Sequence, residues 1–226
     1  MSSKLVRWCG IAAMLGGAIE ILVAPFVTSA YSLTEVGADL VPPWEPALGN
    51  ALGPLFAFAS PEAVYETYGK SHFLVFLGLL FGLLGLRAWR GERAGRLERW
   101  GYHLSLVGFL LNLPGNVLDY WVPGNSSTGE FGGVGDWGFL FGTVLGLLLL
   151  IVGSVLLGVA LLRAGEARLP AWLLVLALPG AVLLGLLGFS NAPANPMLWY
   201  GFAWLLLGHF LWTRSTEKAR QPAHAD

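Results

Sequence analysis

The chain has 226 residues, 55% of them apolar and 12% charged, with 31 glycines, one cysteine and 13 basic against 14 acidic side chains. That composition excludes a disordered chain, a disulfide scaffold and a basic nucleic-acid binder. Soluble domains carry about 25% charged residues, and a chain this short has too small an interior to hide such an apolar excess. An all-α polytopic membrane protein follows, because strand-type alternation is absent and lipid does not tolerate unpaired backbone groups.

Long charge-poor apolar runs predict a bundle of six transmembrane helices, at residues 5–27, 71–89, 99–118, 137–162, 170–189 and 197–213, in a single domain 1–226. The first run follows Lys4 and Arg7 and ends at Thr28, Ser29 and Ala30, a pattern shared with cleavable signal peptides. Glu20 and Pro25 interrupt it, which favours a retained span. The long outer loop between the first two helices, residues 28–70, mixes Pro42, Pro43, Pro46, Pro54 and Pro61 with Leu52, Leu55, Phe56 and Phe58. Loops of this length rarely lack structure of their own, so a short helix is expected over residues 47–59, on or in the outer interface and too short to cross.

After the second span an arginine recurs at every third position, Arg87, Arg90, Arg93, Arg96 and Arg99. Voltage-sensing helices share this spacing, but Gly91, Glu92, Gly95 and Glu98 lie between the arginines and argue for a solvated cytoplasmic hairpin touching anionic head groups. The second outer loop, residues 122–136, reads as turns from Pro123-Gly124-Asn125-Ser126-Ser127 and the run Gly129 to Gly135. Its Asn125-Ser126-Ser127 triplet matches a glycosylation acceptor, a pattern of low specificity.

Sorting charges by side fixes the expected orientation, since lysine and arginine in short loops stay in the cytoplasm. Lys4, Arg7, the five arginines of the hairpin, Arg163, Arg168, Arg214, Lys218 and Arg220 fall on one side, twelve of the 13 basic residues. Lys70 alone falls on the other, with Glu35, Asp39, Glu45, Glu62, Glu66, Asp119, Glu130 and Asp136. Both termini are therefore expected to be cytoplasmic in a multi-pass plasma-membrane protein, with Glu20 the one acid inside the membrane.

Within lipid, helices associate through close packing at small residues and a few hydrogen bonds. Gly101, Ser105, Gly108, Asn112, Gly115 and Asp119 fall on one face of the third span, with Asn116 beside it and Pro114 bending it. Comparable stripes are Ala13, Gly17, Glu20 and Ala24 in the first span, Gly78, Gly82 and Gly85 in the second, and Gly138, Gly142 and Gly146 in the fourth. An intramembrane charge costs roughly 2.5 kcal/mol or more unless paired or wetted. Glu20 lies roughly 22 Å along its helix from Leu5, in the outer half. His72, Asn112, Asn116 and Asp119 reach similar levels, and the five define a candidate pocket able to relay protons, bind a divalent cation or hold a cationic solute. The plainer alternative is that Asp119 and His72 mark the interface and Glu20 has one hydrogen-bonding partner. His103 and His209 match in depth near the inner side, as a bis-histidine haem requires. Interfacial or core histidines are the competing reading, and the one adopted.

Catalytic signatures are missing from the sequence. Cys9 is alone, no His-Glu-x-x-His, Gly-x-Ser-x-Gly or phosphate-binding glycine loop occurs, and no lysine sits at bilayer depth. Most of the ten tryptophans fall at span ends, as an aromatic belt does. Leu83-Leu84-Gly85-Leu86 and Leu156-Leu157-Gly158-Val159 hint at two related hairpins. The leading reading is a small-solute or proton-linked permease, or a membrane partner, without catalysis of its own. An intramembrane enzyme acting on a lipid or quinone, with the same carboxylates as acid and base, is the first alternative, and a structural or assembly subunit the second. Lateral access to Glu20 favours the enzyme, a water-filled path favours transport, and full enclosure favours the structural subunit. Expected partners are the lipid bilayer, a membrane protein or a second copy of the chain, and an unspecified small molecule. No nucleic acid, metal or cofactor is expected.

Overall fold

The computed structural model describes residues 3–34, 37, 45–122, 134–186 and 194–220, all without a strand. The triplet Asn125-Ser126-Ser127, the acids Glu35, Asp39 and Glu130, and the end of the fifth predicted span lie outside these residues. Helix α1 is Ser3–Tyr31, α2 Glu45–Ala51, α3 Gly53–Phe56, α4 Pro61–Gly69, α5 His72–Arg90 and α6 Arg96–Tyr120. Helix α7 covers Val134–Arg163 and winds as a π-helix over Gly138–Leu145. Arg168–Val175 forms α8, Ala177–Leu186 α9 and Ala194–Arg220 α10.

Three stretches, Ser3–Tyr31, Pro61–Arg93 and Val134–Arg163, are long and apolar enough to cross a membrane. Helix α6 is as long but carries Arg96, Glu98, Arg99, Asn112, Asn116 and Asp119. The predicted fifth span is broken at Leu176. Pro179 explains the break: its ring excludes the carbonyl four residues earlier, that of Val175, where α8 stops.

The expected outer loop proves largely helical where it is described. The helix expected over residues 47–59 is two, α2 and α3, parted at Leu52, with Pro54 in the first turn of α3. Helix α4 was not foreseen. Ser60 starts it by accepting the Ala63 N–H at 3.3 Å, Pro61 takes the position where no N–H is needed, and Glu62 favours the positive helix end.

Six helical segments close a ring in the order α1, α5, α6, α7, α8 with α9, and α10, which returns to α1. Each is antiparallel to the next where end contacts fix direction: Gly101 faces Gly153 while Gly115 faces Gly142, and Arg90 meets Glu98. The tightest seams are built from glycine. A Cβ on Gly17 would stand 2.5 Å from the Gly201 carbonyl, and one on Gly108 would stand 2.7 Å from that of Gly146. Inside the ring, Trp204 and Phe109 meet edge to face at 6.4 Å among Leu79, Leu83 and Leu150. The Tyr200 hydroxyl donates to the Leu150 carbonyl, and Ser154 Oγ lies 2.6 Å from the Tyr200 hydroxyl oxygen. Outside, Leu22 is 67% and Leu148 54% exposed, whereas Glu20 is 0% exposed. Apolar side chains outside and a carboxylate inside reverse the soluble pattern.

The arginine hairpin is not wholly solvated, contrary to expectation. Arg90 is buried, with Nε 2.9 Å from Glu98 Oε1 and a terminal nitrogen 2.7 Å from Glu166 Oε2. Glu166 comes from the α7–α8 turn, where Gly165 and Ala167 adopt left-handed backbone with φ of 71° and 47°.

Because backbone cannot yield as a flexible side chain does, Gly17→Ala should force α1 and α10 apart and destabilise the bundle by about 1–3 kcal/mol. Gly95→Ala, with nothing within 4 Å of the added carbon, should leave stability unchanged. Thermal unfolding in detergent measures both, and equal midpoints would contradict the seam.

Candidate functional site

Helix α4 stops at Gly69 and α5 begins at His72, and the short break between them is where the polar residues converge. The Ser71 hydroxyl donates to the Tyr68 carbonyl at 2.6 Å and fixes the turn. From α6, Asn116 Nδ2 donates to the Gly69 carbonyl at 3.3 Å, and the Tyr120 ring lies against Gly69 where a Cβ has no room. The Tyr120 and Tyr65 hydroxyls meet at 3.0 Å, with the rings edge to face at 5.4 Å. These contacts hold His72 between α1 and α6, its ring 6.2 Å from that of Tyr120.

Toward the neighbouring α1, His72 Nε2 lies 3.4 Å from Glu20 Oε2, both side chains within 1% of full burial. Glu20 is held there by its helix, since it shares a face with Gly17 and Ala24, and that face packs on α5 and α10. Asp119 is 2% exposed and within electrostatic reach of His72, Asp136 and Glu66.

Four of the five residues singled out in the sequence thus surround the α4–α5 break: Glu20, His72, Asn116 and Asp119. Asn112 lies about one turn further along α6, where Nδ2 donates to the Gly108 carbonyl at 2.9 Å and the amide packs on Gly146. It lines the seam with α7. His103 and His209 are both exposed, beside Tyr102 and Trp212 respectively, with no contact between them. Their placement gives no enclosed space for a haem.

Tyr65, Tyr120 and Asp136 belong to the cluster and were missed. The signal for Tyr65 was local: Ser60-Pro61-Glu62 opens a helix whose Val64, Tyr65 and Tyr68 fall on one side.

The Glu20 and His72 side chains reach each other, and His72 the Gly69 backbone, while Asn116 Oδ1, Asp119 Oδ2 and Ser29 Oγ are buried without a hydrogen bond from the protein. Such atoms are rare in folded chains and call for water, a shared proton or a ligand. Acceptors dominate, so what completes the cluster must donate hydrogen bonds. Among the described residues no group of three or more histidine, cysteine or acidic side chains is arranged to hold a metal ion. The described cavities lie at the opposite, arginine-bearing end.

No protein family, curated protein or solved structure matches the chain.

The 3.4 Å contact makes Glu20 and His72 energetically coupled. Glu20→Gln and His72→Gln should each destabilise by about 1–3 kcal/mol, and the double variant by clearly less than their sum. A double-mutant cycle on unfolding in detergent reads the difference, and strict additivity would dissolve the pair.

Proposed function

We propose that the chain is a six-span plasma-membrane protein with both termini in the cytoplasm, and that it acts as a proton-linked permease for a small solute. Several observations support six crossings. The six helical segments alternate in direction around one ring, and the arginines gather at one end, Arg93 and Arg214 lining one cavity with Ser3 of the opposite terminus. Asp119, Asp136 and Glu66 gather at the other. Trp8, Trp100 and Trp172 are exposed toward the arginine end and Trp121 and Trp137 toward the acidic end, as two interfacial belts require.

The observation that carries the functional reading is the Glu20–His72 contact at 3.4 Å, two ionisable side chains fully enclosed in an apolar bundle. Ionisable groups inside a membrane bundle are costly and are retained where they move protons or bind solutes. Histidine exchanges protons near neutral pH more readily than any other side chain, and Asp119 lies in the electrostatic field of His72 on the side of the acidic end. Full burial corresponds to the occluded stage of a transport cycle.

A second reading has one observation in its favour. Glu20 is fully enclosed by its neighbours, which is what a structural or assembly subunit with a static internal ion pair requires.

A reporter that fluoresces only in the cytoplasm, fused after Asp226, should be bright, and a dark fusion would sink the topology. Proteoliposomes under an imposed pH gradient, followed with an enclosed pH dye, separate the two functions. Wild type should carry protons and Glu20→Gln should not, whereas identical traces would leave the pair structural.

A further inference from the structure

At the arginine end, α1, α5 and α6 leave an outward-facing cleft of about 460 Å³. Its walls are Leu5, Phe81, Leu84 and Tyr102, of which Leu5 is 42%, Phe81 43% and Leu84 37% exposed. Phe81 and Leu84 follow one another at helical spacing and lead to Arg87, roughly 9 Å along α5 from Phe81. The Arg87 guanidinium lies over the Tyr102 ring at 5.9 Å and donates one hydrogen bond, to the Gly91 carbonyl at 3.2 Å. Among the described residues no carboxylate comes within ion-pair distance of it, whereas Arg90, one turn away, is satisfied by Glu98 and Glu166. A second cavity, about 280 Å³, shares Ala88 as a wall and is lined by Arg93, which lies 4.0 Å from Glu166, and by Arg214.

We infer that this cleft is a binding site for one anionic phospholipid, with an acyl chain laid along Leu5, Phe81 and Leu84 and the phosphate on Arg87. An arginine fork matches phosphate oxygens in pairs, and basic pockets between membrane helices on the cytoplasmic side take anionic head groups. The apolar run below the arginine distinguishes a lipid from free phosphate, which has no use for it. The Arg87 guanidinium, with no carboxylate at ion-pair distance among the described residues, favours a negative over a zwitterionic head group. The site depends on the membrane reading and is independent of Glu20, at the opposite end of the bundle.

The test is native mass spectrometry of the full chain in detergent, titrated with phosphatidylglycerol, phosphatidylcholine and inorganic phosphate. Wild type should retain one phosphatidylglycerol in preference to phosphatidylcholine. Arg87→Gln should weaken that retention about fivefold. Leu84→Trp, which fills the cleft and leaves the charge in place, should weaken it as well. Phosphatidylglycerol retained equally by wild type and both variants would overturn the site, as would equal retention of the two lipids. Inorganic phosphate that displaces the lipid and binds Leu84→Trp as well as wild type would overturn the lipid in favour of a free anion.

Discussion

Where Gly17 of α1 meets Gly201 of α10, and where Gly108 and Gly115 of α6 meet Gly146 and Gly142 of α7, backbone lies directly on backbone. In an apolar surround no hydrophobic gain holds such helices together, and attraction depends on how many atoms touch. Removing the side chain at the crossing is what brings the surfaces close enough. These two seams fix the spacing of the ring, and the ring fixes everything within it. Trp204 and Phe109 fill the space left at the centre, and the α4–α5 break is pressed between α1 and α6.

The placement of Glu20 follows from the same constraint. It lies on the glycine face of α1, so closing the seam carries the carboxylate inward, and His72 is the basic group that meets it there. Among the described residues no other basic side chain comes within ion-pair distance of Glu20. The scaffold therefore imposes an internal ionisable pair as a by-product of its packing, and this couples the chemistry of the site to the closeness of the helices. Tyr65, Tyr120 and Asn116 stiffen the surroundings without supplying the missing donors.

Much of the fold was legible because it is written at helical spacing. The stripe from Gly101 to Asp119 and the glycines of α7 name both sides of one seam without any knowledge of the other helices. The level of Glu20 was legible too, since rise per residue converts position into depth. Its partner was harder: depth narrows the choices, but which helices adjoin is decided by ring closure, which no local pattern encodes. Asn112 shows the limit, sharing the depth of the cluster while turning to a different neighbour. Helix α4 and its tyrosines were hidden by the prolines around them, which were read as loop when Pro61 in fact opens a helix. Arg90 was misjudged because counting charges by side treats each as solvated, while its partner Glu166 arrives from a turn far along the chain.

That arginine has a mechanical consequence. Held by Glu98 on one side and Glu166 on the other, it pins two neighbouring hairpins, α5 with α6 and α7 with α8, to a common point. The glycine seam of α6 on α7 runs on from that clasp as far as Gly115 and Gly138, so the two hairpins are joined along their length. Asp119 stands where that seam ends, its backbone against Gly138, so the arginine clasp and the polar site sit at the two ends of one continuous joint.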